Sequence, residues 1–146
     1  MTLLVLQLTC WSDFIGATQR PEHLAFLPLL NAAVIVACGV AVGRTALRKD
    51  SNDAAVLLSG TSLVSLFVPL FSLFYFWHGN AEHFNALLSK WDALYFTIGT
   101  FTTGTGSIMA KSEWMRGVVA IQQLIGILIF SVFMVILMER LTSRRT

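Results

Sequence analysis

Charge withdraws from three long stretches of this chain and from one short one. Leu24 to Gly43 (LAFLPLLNAAVIVACGVAVG), Ala54 to Trp77 (AAVLLSGTSLVSLFVPLFSLFYFW) and Gly117 to Met138 (GVVAIQQLIGILIFSVFMVILM) contain no Asp, Glu, Lys or Arg. About 20 apolar residues in helix cross the hydrocarbon of a bilayer, so each stretch predicts a spanning helix. Pro28 and Pro69 fall inside the first two. A membrane helix tolerates such a proline where a neighbour satisfies the freed carbonyl. The short stretch, Trp91 to Thr102 (WDALYFTIGTFT), measures about 18 Å as a helix, roughly half of the hydrocarbon core. Asp92 at its start suits a helix N-terminus, where the backbone dipole favours negative charge.

Composition agrees with this pattern. The chain has 146 residues, 55% apolar and 12% charged, with a mean hydropathy of +0.71. A soluble domain carries about twice that share of charge. A net charge of +2 without a long basic run gives no footprint for nucleic acid. Cys10 and Cys38 have no metal-ligand spacing, and Cys38 reads as a small packing residue inside the first span. No span contains an ionisable side chain, and no nucleophile–base pair or ligand set lies within them, which speaks against an enzyme and against a proton-coupled transporter. No arginine ladder marks a voltage sensor.

Basic flanks set the expected orientation. Arg44, Arg48 and Lys49 follow the first span, and Arg140, Arg144 and Arg145 follow the third. Both flanks then belong on the cytoplasmic side. The second span runs outward, and everything from His78 to Arg116 begins and ends outside. The half-length helix therefore enters the membrane and returns, a re-entrant loop. Non-helical backbone at that depth is tolerated only where protein buries it or water lines it.

The segment that follows the half-length helix is Thr102-Thr103-Gly104-Thr105-Gly106. A dehydrated cation needs oxygens in place of its water, and successive carbonyls aimed at one axis supply them. Glycines at alternate positions, Gly104 and Gly106, enter left-handed conformations at low cost and are expected to turn alternate carbonyls inward. The Thr102 hydroxyl is placed to add one oxygen more. One chain gives one side of such a cage, so several copies around an axis are required.

The run WDALYFTIGTFTTGTGS resembles the pore signature of the two-helix-pore potassium channel superfamily, a pore helix of the W-D-A-x-Y-F kind leading into T-V-G-Y-G-D. The resemblance extends over Ala54 to Leu141, more than half of the chain. It implies that Thr102, Thr103, Gly104, Thr105 and Gly106 form an ion-binding selectivity filter whose backbone carbonyls coordinate a monovalent cation. It also implies a gating hinge at Gly126, twenty residues beyond Gly106. Three positions depart from the family pattern: Thr103 stands for valine, Thr105 for the aromatic and Ser107 for aspartate. Aligned from the pore-helix side, the glycines come one residue early. The family's aromatic packs outward against the pore helix and holds the cage at fixed width, a volume threonine does not fill.

The expectation is an all-α membrane protein of three transmembrane helices plus a re-entrant pore helix and filter loop, assembled as a homotetramer in the plasma membrane. Residues 1–22 read as an interfacial segment, since they are too short to span and lack a basic leader. Residues 23–49 form a peripheral helix and 54–141 the pore domain: outer helix 54–77, outer loop 78–90, pore helix 91–102, filter 102–106, inner helix 116–140. A tail, 142–146, has no room for a soluble ligand domain. Ile127, Phe130, Ser131, Met134 and Met138 recur at helical spacing on the inner helix. Ile127, Phe130, Met134 and Met138 are expected to line the cavity, with Met134 and Met138 as a dewetting gate. Gln122 and Gln123 are expected to bond between helices, to the pore helix above all. His78, Glu82 and His83 read as a solvated turret rather than a metal or proton sensor, and Lys111, Glu113, Trp114 and Arg116 as an outer interface. No cofactor is expected; the permeant ion is potassium. Sodium/potassium permeability with weak selection, and a non-conducting accessory subunit, stay open as alternatives.

Overall fold

The computed structural model describes residues 2–17, 53–102, 104 and 106–143, together with Ala37, Gly39, Val40 and Arg44. The first predicted span lies almost wholly outside these residues, as do Thr103, Thr105 and Arg144–Thr146. Among the described residues four continuous helices follow in order: α1 (Thr2–Gly16), α2 (Asp53–His78), α3 (Lys90–Phe101) and α4 (Glu113–Ser143). Among the described residues regular structure is helical, with one isolated antiparallel bridge between Phe84 and Ala110.

Two of the helices are long and apolar enough to cross a membrane, over Gly60–His78 and Glu113–Glu139. They differ in surroundings. In the apolar window of α2 50% of residues are buried, against 11% in that of α4. α2 is thus packed by its own chain, while α4 turns most of its surface outward.

The core lies in two parts. Toward the loop end, Phe74, Tyr75, Phe84, Leu88, Ala93, Phe96 and Met115 form one cluster. Its centre is a trio of rings meeting edge to face: Tyr75–Phe96 at 4.9 Å, Phe84–Phe96 at 5.3 Å and Tyr75–Phe84 at 6.0 Å between centroids. Such contacts exceed plain area burial because ring edges are positive and faces negative. Farther down α2, Leu66, Phe67 and Leu70 form a second cluster, closed by Cys10 of α1, Phe101 of α3 and Ile125 and Ile129 of α4.

The N-terminal segment, expected at the interface, is helical over Thr2–Gly16 and lies lengthwise on α2. Gln7 Nε2 donates to Ser62 O at 2.8 Å and Trp11 Nε1 to Ser65 O at 3.1 Å, so the two helices run in the same direction. The second contact answers a specific need. Pro69 has no N–H to give to the carbonyl four residues earlier, which is that of Ser65. Trp11 supplies the donor in its place. Ser72, three residues beyond the proline, donates to Val68 O at 2.8 Å and stays satisfied inside the helix. At its far end α1 is fastened to the start of α3: Lys90 Nζ donates to Ile15 O at 2.8 Å, with the buried Phe14 ring 5.9 Å away.

Replacing Trp11 with phenylalanine keeps the ring and removes the donor to Ser65. Stability in detergent is expected to fall by about 1 kcal/mol, because a half-buried carbonyl loses its partner. Thermal unfolding of Trp11→Phe beside wild type measures this, and equal melting would show that the Ser65 carbonyl finds another donor.

Candidate functional site

Ser89 and Asp92 begin the half-length helix. Asp92 N donates to Ser89 Oγ at 3.2 Å and Ser89 N to Asp92 Oδ2 at 3.0 Å, a reciprocal capping box. This is the capping role the sequence assigns to Asp92. The Ser89 side chain and backbone hold the Asp92 carboxyl below the usual carboxylate range.

Within α3, polar residues are made compatible with an apolar setting. Thr97 Oγ1 donates to Ala93 O at 2.8 Å and Thr100 Oγ1 to Phe96 O at 2.8 Å, so two buried hydroxyls are satisfied by the helix's own backbone. Where α3 ends, Thr102 N donates to Ile98 O at 3.0 Å, and Thr102 Oγ1 donates to Ile98 O at 2.9 Å and Gly99 O at 3.2 Å. Gly104 N closes on Gly99 O at 2.7 Å. Neither Gly104 nor Gly106 has a φ in the left-handed range. This corrects the expectation that both glycines invert their backbone in the protomer. The physical reason is visible at Gly104, whose N–H is held by the end of the pore helix and folds the chain back on it.

Gly106 is needed for a different reason. A Cβ on it would come 2.9 Å from Tyr95 Cε1 and 3.2 Å from the Tyr95 hydroxyl. An aromatic ring of α3 is thus set directly against Gly106. Sequence reading missed this, although Tyr95 is an aromatic at helical spacing on α3.

Against α3 lies a buried polar clasp. Tyr75 of α2 donates through its hydroxyl to Gln122 Oε1, and Gln122 Nε2 donates to Thr97 O at 3.2 Å. Tyr75, Gln122 and Thr97 are all 0% exposed. The clasp joins α2, α3 and α4 through one carboxamide, the interhelical bond expected of Gln122. One turn below it, Gly126 is buried, and a Cβ there would lie 3.2 Å from both Phe101 O and the Phe101 ring. A glycine lets α4 come close to the point where α3 ends, and α4 continues helical through it.

Ile127, Phe130, Met134 and Met138 are exposed on α4, and Trp91, Tyr95 and Ile98 on α3. His78 and His83 sit 6.5 Å apart between ring centroids, but each has local company: His78 Nδ1 is 3.0 Å from Phe74 O, and His83 Nδ1 is 3.0 Å from Ser112 Oγ. Among the described residues no group of three or more His, Cys, Asp or Glu is arranged to hold a metal ion.

Losing either end of the clasp leaves the other buried and unpaired. Tyr75→Phe and Gln122→Leu, alone and together, are expected to show a coupling of about 1 kcal/mol in a double-mutant cycle of unfolding. Additive losses would mean that the two side chains are independently supported.

No curated protein and no solved structure matches the chain. A family-level profile described as Ion channel matches residues 61–143, from within α2 through α3 to the end of α4. That match covers more than half of the chain and the whole of the arrangement just described, and it makes this membrane protein a member of the ion channel family.

Proposed function

We propose that the chain forms a homotetramer around a central axis and conducts potassium passively across the plasma membrane, with Thr102 to Gly106 as its selectivity filter. The observation that carries this reading is the half-length, capped α3, which delivers a threonine–glycine ribbon between two helices able to span a membrane. Thr103 and Thr105 complete the ribbon in the sequence. The carboxyl end of α3 carries the negative pole of its dipole, which favours a cation at that depth. In the tetramer each pore helix aims that pole at the same cavity.

The exposed surfaces fit this assembly. A single copy leaves Tyr95, Ile98, Leu124, Ile127, Leu128 and Phe130 uncovered, an apolar area that sibling subunits and lipid would cover together. Ile127, Phe130, Met134 and Met138 then face the cavity, with Met134 and Met138 closing its cytoplasmic end by dewetting. Gly126 serves as the hinge of the inner helix, unlocking from Phe101 as it bends. Weak selection between sodium and potassium is the second reading, and Thr105 in the place of an aromatic is the observation that favours it.

Purified protein in liposomes, with potassium on one side and sodium on the other, is expected to give a reversal potential near that of potassium. A reversal near zero at equal concentrations favours the second reading, and no current at all refutes conduction by this chain alone. A tetramer mass in mild detergent accompanies the first result; a stable monomer or dimer counts against the assembly. Met138→Ser is expected to raise open probability, since a polar side chain rewets the constriction, and an unchanged gating record would remove Met138 from the gate.

A further inference from the structure

The residue that follows Gly106 is tied down from outside the loop. Asn85 Nδ2 donates to Ser107 O at 2.9 Å, and Asn85 Oδ1 accepts from Met109 N at 3.0 Å. Asn85 N also donates to Met109 O at 3.1 Å. The partners fix which way the carboxamide points, because a carbonyl accepts only and an amide N–H donates only. One side chain therefore grips the returning strand at two backbone positions, the nearer one adjoining the ribbon.

The grip is rooted. Phe84, next to Asn85, is 0% exposed in the ring trio and pairs with Ala110 across the antiparallel bridge. His83 O accepts from Lys111 N at 2.7 Å, and His83 N donates to Asn80 Oδ1 at 3.0 Å. The outer loop and segment 107–112 thus form one small paired unit standing on the packed outer half of the core. Three consecutive residues, His83, Phe84 and Asn85, contribute a carbonyl, a buried anchor and a carboxamide. Of these only Asn85 reaches the residue adjoining Gly106.

We propose that Asn85 is a positioning residue for ion selection: from the outer loop it sets where the filter's outer end stands, through Ser107 O and Met109 N. The inference rests on Thr102 to Gly106 being the filter. Asparagine suits the task because it presents a donor and an acceptor at once on a short stem. Aspartate keeps the acceptor for Met109 N but sets a carboxylate oxygen against Ser107 O. Alanine keeps neither.

Wild type, Asn85→Ala and Asn85→Asp are compared as full-length proteins in liposomes, by permeability ratios across the alkali cations and by amide exchange of segment 106–110. In Asn85→Ala the Met109 amide is expected to exchange about fivefold faster or more, with the α2 and α4 peptides unchanged. Both variants are expected to shift the permeability ratios from wild type. In Asn85→Asp that shift comes with Met109 still protected, which assigns it to Ser107. Assembled variants whose permeability ratios equal those of wild type overturn the inference, whatever their melting temperature. If wild type itself passes no current, the channel reading falls, and unchanged exchange at Met109 in Asn85→Ala then overturns the anchor independently.

Discussion

A glutamine side chain buried among apolar helices is costly unless both ends of its carboxamide are bonded, and Gln122 meets that condition on two different helices at once. Its carbonyl takes the Tyr75 hydroxyl from α2, and its amide gives to Thr97 O of α3. Neither bond tolerates much sliding, because a displaced partner leaves a desolvated polar atom behind. The depth of the pore helix, the register of the inner helix and the ring trio around Tyr75 are all fixed relative to this one group. Gly126 depends on it too: the close approach to Phe101 one turn below is available only while the helices hold that register.

The elements were legible in the sequence where their signal is local. Uncharged runs gave α2 and α4, and the half-length apolar run with Asp92 at its head gave α3 and its cap. Gln122 was legible as well, since a polar side chain in an apolar helix must find a partner and the pore helix is its nearest candidate. Contacts made across the fold were not legible. Nothing near Trp11 announces that it will serve Ser65, 54 residues later, and Asn85 looks like any loop asparagine until it meets Ser107. The ribbon's backbone was misread for a related reason. Glycine permits a left-handed φ without requiring it, and the bond to the Gly99 carbonyl decides the matter at Gly104.

Polar groups in this chain fall into two economies. Thr97, Thr100 and Ser72 bond to the turn of helix on which they stand, which makes them neutral toward their surroundings. Gln7, Trp11, Tyr75, Gln122 and Asn85 bond to a different element and so specify its position.

Pro69 draws a sequence of events out of a static contact. A helix with that proline enters lipid carrying an acceptor that its own backbone cannot serve, and hydrocarbon offers no substitute. The donor, Trp11, belongs to a segment made earlier in synthesis, so it is already at hand when the outer helix arrives. Assembly of α2 is in this respect templated: the earlier-made α1 carries the donor that the proline-containing helix needs.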